Sequence, residues 1–181
     1  MNIFNPKDVK IGKDVDKIIY QETYILKFFK NLDSYNKTIK FYSTFNFNFV
    51  PKLLDQTVDK LLIKQEYVGN LLSLKSNLPN NWQNQLRKIK NKFMDHNIYI
   101  EDLRFLPYSP LIVNNITVKN NKIYIVDLTM TIKADKIYIE RKIENLIFQI
   151  RIYLVLLKYI PYIFLVLPHI LVHSFYLIFN L

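Results

Sequence analysis

Asp102, Asn115 and Asp127 are the side chains here most suited to chemistry, and all three fall within Asp95–Thr129 (DHNIYIEDLRFLPYSPLIVNNITVKNNKIYIVDLT). Asp102 follows a short apolar run, Ile98-Tyr99-Ile100, and Glu101. The pair Asn114-Asn115 opens a predicted β-hairpin whose second strand ends on Asp127. Mg²⁺ is a hard cation, commonly held by one or two carboxylates together with phosphate oxygens. Two carboxylates and an amide oxygen, delivered by one loop and one hairpin, suit a metal–phosphate centre.

Composition narrows the partners. At 181 residues the chain is long enough for one domain, or one domain with a small appendage. A net charge of +10 and a pI near 9.6 favour anionic partners such as nucleotide phosphates or acidic lipid. The basic residues are dispersed, so a nucleic acid is not an expected partner. There is no cysteine, which excludes disulfides and thiolate metal sites. The only glycines are Gly12 and Gly69, so neither a GxGxxG fingerprint nor a Walker A loop can be written. The opening MNIFNPKDVK has no apolar core of the kind a secretory signal needs.

Several elements must position those side chains. A short strand is expected over Val9–Gly12, followed by an amphipathic helix from Ile18 to Leu32, with Ile18, Ile25, Phe28, Phe29 and Leu32 on its apolar side. The aromatic alternation of Phe41–Phe49 reads as a strand. Val50–Leu54 and Lys60–Val68 read as two strands around a polar turn, with Gly69 ending the second. Trp82–His96 reads as a helix with Trp82, Leu86, Ile89 and Phe93 along one face. Asn120-Asn121 marks the tip of the hairpin before Asp127. Met130–Tyr138 offers a further strand or connection, and Ile139–Arg151 a helix with Ile143, Leu146, Ile147 and Ile150 on one side.

From Tyr159 to Leu181 the chain carries no formal charge. At about 1.5 Å per residue, such a helix spans roughly 34 Å, against a hydrocarbon core of about 30 Å. Arg151 and Lys158 flank only its N-terminal side. The layout predicts a tail anchor with the preceding domain on the cytosolic side of a membrane. The alternative is a buried C-terminal helix of the domain itself.

Over roughly residues 9–130, the order of these elements resembles the protein kinase family. Val9-Lys10-Ile11 resembles the strand that carries a phosphate-binding Lys, and Gln21–Lys27 resembles the next helix, with Glu22 as the partner of Lys10. Gln65-Glu66-Tyr67-Val68-Gly69 is similar to the hinge whose backbone meets adenine, which places Glu66 and Val68 at the nucleotide. Asn97–Leu103 is similar to the H-R-D-L region, with Asp102 as catalytic base. Asn115 and Asp127-Leu128-Thr129 resemble the two metal-holding positions. The resemblance implies an α+β, two-lobed kinase-like arrangement with a reduced N-lobe over 1–69 and a truncated C-lobe over 70–138. A connecting helix over 139–158 and a transmembrane anchor over 159–181 complete the expected plan. The implied cofactors are ATP and Mg²⁺.

The departures from that pattern bear on activity. Ile100 and Glu101 stand where His and Arg precede the catalytic Asp, and Thr129 stands where a Gly closes the metal motif. An extended loop containing Pro107 and Pro110 separates Asp102 from Asn115. Phosphoryl transfer rests on positioning and electrostatics. The sequence therefore points to a membrane-tethered pseudokinase or weak nucleotide binder that acts through a protein partner. An active phosphotransferase and a non-enzymatic membrane adaptor are the alternatives.

Overall fold

Apolar side chains at every second position lay much of the chain into short antiparallel strands. The computed structural model describes the backbone of residues 8–9, 14–106 and 109–179, and the side chains of 14–106, 109 and 111–159. Strands β1 (Asp8–Val9), β2 (Val15–Tyr20) and β3 (Tyr24–Phe29) precede helix α1 (Leu32–Thr44). Strands β4 (Leu53–Thr57), β5 (Leu62–Glu66) and β6 (Asn70–Ser73) then lead to α2 (Trp82–His96). After it come β7 (Ile98–Ile100), β8 (Phe105–Leu106), β9 (Ser109–Lys119), β10 (Lys122–Ile125), β11 (Thr131–Lys133) and α3 (Lys136–Phe179).

The first sheet has the order β1-β2-β3-β5-β4 and is antiparallel throughout. The second runs β10-β9-β6, with β8 also paired to β9. A small β11–β7 ladder joins the segments on either side of the second sheet. One short passage, Glu66 to Asn70, carries the chain from the first sheet to the second. Gly69 lies on it at φ +88°, and a Cβ there would overlap the Val118 carbonyl oxygen on β9. Only glycine combines that backbone angle with so close an approach.

The helix expected from Ile18 to Leu32 is instead the β2–β3 hairpin, turned at Gln21, whose N–H bonds the Tyr24 carbonyl at 2.9 Å. Ile25, Lys27 and Phe29 are buried and the residues between them less so, which is the period of a half-buried strand. The strand expected at Phe41–Phe49 is corrected too, because most of its first half belongs to α1. Asn31 caps that helix by accepting from the Ser34 N–H at 2.9 Å, and Tyr35, Thr38 and Phe41 form its buried stripe. Trp82–His96 forms as its sequence predicts, with Trp82, Leu86, Ile89 and Phe93 buried. Asn97 closes it in the left-handed conformation, φ 51°.

Two apolar clusters result. The smaller gathers Val15, Ile18, Ile25, Phe29 and Ile63 from the first sheet under Tyr35 of α1. The larger packs α2, the second sheet and the start of α3, whose Ile139, Ile143, Leu146, Ile147 and Ile150 are buried in one stripe. Lys90 of α2 anchors the same pairing, with its ammonium 2.7 Å from Glu144 and 3.6 Å from Glu140 of α3.

Two expectations about architecture are corrected. Among the described residues, no helix is long and apolar enough to cross a membrane, so the single-pass tail anchor and the localisation built on it fall. The side chains of residues 160–181 lie outside the described residues. The first part of α3 is spent on the domain core instead. The two-lobed kinase-like plan with a transmembrane helix is likewise not what the described residues form. They make an α+β arrangement of small antiparallel sheets, and a hairpin stands where the helix meant to carry Glu22 was expected, while Lys10 lies outside the described residues.

Candidate functional site: a polar cleft between the two sheets

A cavity of about 750 Å³ lies between the buried face of the first sheet and the edge of the second. Val15, Ile18, Ile25 and Val68 give it apolar walls. Lys27, Asn114, Asn115 and Asp127 bring polar groups to it.

Lys27 is the most constrained of these. It sits on β3 between Ile25 and Phe29 on the inward face, and only 7 % of its surface is exposed. Its ammonium donates to the Val126 carbonyl at 2.8 Å, from one sheet to the segment that follows the other. Burial lowers the Lys27 pKa, and the nearby Asp127 carboxylate partly opposes that shift. An ammonium at the end of a four-carbon stem, desolvated and facing a cleft, is a ready partner for an anionic group.

Asp127 follows β10 and is half-buried. Its Oδ1 accepts from the Thr129 hydroxyl at 2.8 Å and from the Thr129 N–H at 3.3 Å, which fixes the carboxylate locally. Thr129 is thus the group that orients this acid. Asn115 adopts φ 57° within β9, a left-handed residue that Asn tolerates better than most. Its carbonyl accepts from the Val126 N–H at 3.1 Å, which ties the two neighbouring segments together. Asn115 on β9 and Asp127 just after β10 line one cavity.

Asp102 does not join them. It lies at φ 66°, with Oδ1 accepting from Arg104 Nε at 2.9 Å. It lines a separate, shallower depression of about 330 Å³ with Tyr99, Tyr138 and Lys142. Glu22 is exposed at the tip of the β2–β3 hairpin. Lys10 lies outside the described residues. Glu66 ends β5, where its N–H donates to the Lys52 carbonyl at 2.8 Å and its Oε2 accepts from the Lys52 N–H at 3.5 Å. Val68, 1 % exposed, does line the cleft.

Lys27 escapes a sequence reading that assigns its segment to a helix. The available signal was the alternation Ile25-x-Lys27-x-Phe29, which places a lysine on the buried face once the segment is taken as a strand. Gln65 and Thr117, both buried against the cleft, were also missed. Among the described residues no group of three His, Cys, Asp or Glu side chains is arranged to hold a metal ion. Asp127 and Asn115 together fit the sparser protein share of a Mg²⁺ site, in which phosphate and water supply the remaining oxygens.

Comparison with known proteins adds no family to this geometry: no family profile matches the chain, and no curated protein matches its sequence.

Proposed function

We propose that the chain is a non-catalytic nucleotide-binding protein, a pseudokinase-like binder that presents its occupied cleft to a protein partner. The observation that carries this reading is the separation of the acids. Lys27, Asn115 and Asp127 line one cavity, while Asp102 lines another and is engaged by Arg104. A general base must come within hydrogen-bond reach of the proton it takes. With Asp102 turned to a different depression, the described residues of the cleft have the parts for holding a phosphate, and once Asp127 holds the ion they offer no second carboxylate as a base.

The protein-kinase resemblance enters through these roles alone. Lys27 takes the part of the phosphate-positioning ammonium, and the apolar walls suit a planar base. When a nucleotide brings Mg²⁺, Asp127 and Asn115 would hold the ion, which neutralises phosphate charge. The cleft spans both sheets, so an occupant bridges the two apolar clusters and alters the surface a partner meets.

Thermal unfolding in the presence of millimolar nucleoside triphosphate and Mg²⁺ tests the reading. Ligand that binds only the folded chain raises the midpoint, by about 2.7 kcal/mol of stability at a hundredfold excess over Kd. The shift is expected in the native chain and lost in Asp127→Ala. No shift with any nucleoside triphosphate would sink the proposal.

A further inference from the structure

Helix α3 is apolar on two opposite faces. One stripe, Ile139, Ile143, Leu146, Ile147 and Ile150, is buried in the larger cluster. At about 100° per residue, Ile137, Phe148, Ile152 and Val155 form a second stripe roughly 160° round the helix from the first. This one faces outward, with Ile137 71 % and Phe148 59 % exposed. Single apolar side chains at a surface are ordinary, but a helix with a second aligned apolar face has a surface to be covered.

The charges beside that stripe identify the cover. Glu140, Glu144, Arg151 and Lys158 fall within about 40° of one another along one edge of it. Along the helix they run acid, acid, base, base. Lys90 is shared by the two acids, at 3.6 Å and 2.7 Å, so the pair keeps one negative charge in excess. Arg151 bonds the neutral Gln83 amide at 2.7 Å, and Lys158 is exposed. A pattern that changes sign at its midpoint is complementary to itself turned end for end.

We propose that the outward stripe of α3 docks on the same stripe of a second copy of this chain, with the two helices antiparallel and Phe148 at the two-fold axis. The midpoints of Glu140–Lys158 and Glu144–Arg151 both fall beside Phe148. Pairing about that residue sets Glu140 beside Lys158 of the second copy and Glu144 beside its Arg151. Each contact occurs twice, the reciprocal arrangement of an isologous interface. Phe148 meets its own copy at the centre, with Ile152 and Val155 extending the apolar seam on either side. Arg141 borders the other edge of the stripe, away from Lys158 of the second copy, and its stem adds apolar cover. A parallel pair would bring each residue to the height of its own copy. From Asn145 to Phe179 α3 carries no acid, so that arrangement leaves Arg151 and Lys158 without counter-charges. None of the stripe residues lines the cleft between the sheets, so this pairing is independent of the nucleotide-binding reading.

The chain has no cysteine, so single introduced cysteines report the pairing without background. In sedimentation equilibrium at micromolar concentration the full chain is expected to be a dimer, and Phe148→Glu a monomer with an unchanged circular dichroism spectrum. With a short bismaleimide, Phe148→Cys should cross-link to itself and Lys158→Cys should not. An equimolar mixture of Glu140→Cys and Lys158→Cys should give the mixed cross-linked dimer. A native chain that is monomeric at every concentration, or a dimer that survives Phe148→Glu, would overturn the proposal. Self-cross-linking of Lys158→Cys would overturn the antiparallel register. Binding of the native chain to phosphatidylcholine vesicles, abolished by Phe148→Glu, would mean that lipid covers the stripe and would overturn the proposal as well.

Discussion

A lysine with 7 % of its surface exposed is a costly residue to place in the core of a small sheet. Lys27 holds one hydrogen bond, to Val126, and its pKa is lowered because burial outweighs the attraction of Asp127. Below its folded pKa the ammonium is charged in both folded and unfolded chains, and the full desolvation penalty falls on the folded one. As pH rises from that folded pKa towards 10.5, the unfolded chain binds more protons, so stability increases with pH over this window. Phosphate affinity runs the other way, falling as Lys27 loses its proton. Lys27→Met is therefore expected to raise the thermal midpoint of the ligand-free chain and to abolish the nucleotide-induced shift. A midpoint lowered by the substitution would mean that the Val126 bond outweighs the buried charge. Asp102 makes the opposite case. Asp102→Asn is expected to leave nucleotide affinity within twofold, since its side chain lines the other depression; a tenfold loss in a binding titration would place it at the ligand after all.

The Glu66–Asn70 passage and the elements it joins set the geometry of the cleft. Gly69→Ala would put a Cβ onto the Val118 carbonyl and force an L-residue to φ +88°. Backbone strain of this kind costs about 1–3 kcal/mol, and the overlap adds to it. A large fall in the urea midpoint is expected, with weakened nucleotide affinity because β6 and β9 must separate. Elements with a strong period of their own were legible from sequence. Trp82–His96 needs only its four-residue apolar stripe, and the buried side of α3 needs only Ile143, Leu146, Ile147 and Ile150. The hairpin at Val15–Phe29 was not legible because Ile18, Ile25 and Phe29 fit a helical stripe as well as a strand face. Deciding between them depends on pairing with β5, a partner more than thirty residues away. The site divides in the same way. Asn115 and Asp127 sit on a local hairpin that Asn120-Asn121 announces, whereas Lys27, Gln65 and Thr117 acquire meaning only when two sheets meet. The extended loop between Asp102 and Asn115 already set Asp102 apart in the sequence, and in the structure it lies at φ 66°, paired with Arg104, lining the other depression.

At the scale of the molecule, the cleft lies beside two apolar clusters, against both of which Tyr42 packs. The smaller cluster rests on the first sheet and α1, and the larger on α2, the second sheet and α3. Helix α3 supplies much of the larger core, yet none of its described side chains lines the cleft. Stability drawn from α3 and binding at the cleft should therefore be separable. Ile143 is fully buried, and Ile143→Ala is expected to cost about 2–5 kcal/mol through lost transfer energy and the cavity left behind. Distant sites with no shared partners add nearly independently. The variant should thus unfold at a lower temperature but retain the full nucleotide-induced increment measured in the native chain. If that increment shrinks with the stability, the ligand is sensing the larger core as a whole, and the cleft is coupled to α3 through β9 and β10. Hydrogen exchange on the native chain separates these outcomes from a second direction. Nucleotide should protect β3 and the Val126–Thr129 segment together, because an occupant held by Lys27 and Asp127 ties one sheet to the other, while the amides of Ile139–Ile150 stay unchanged.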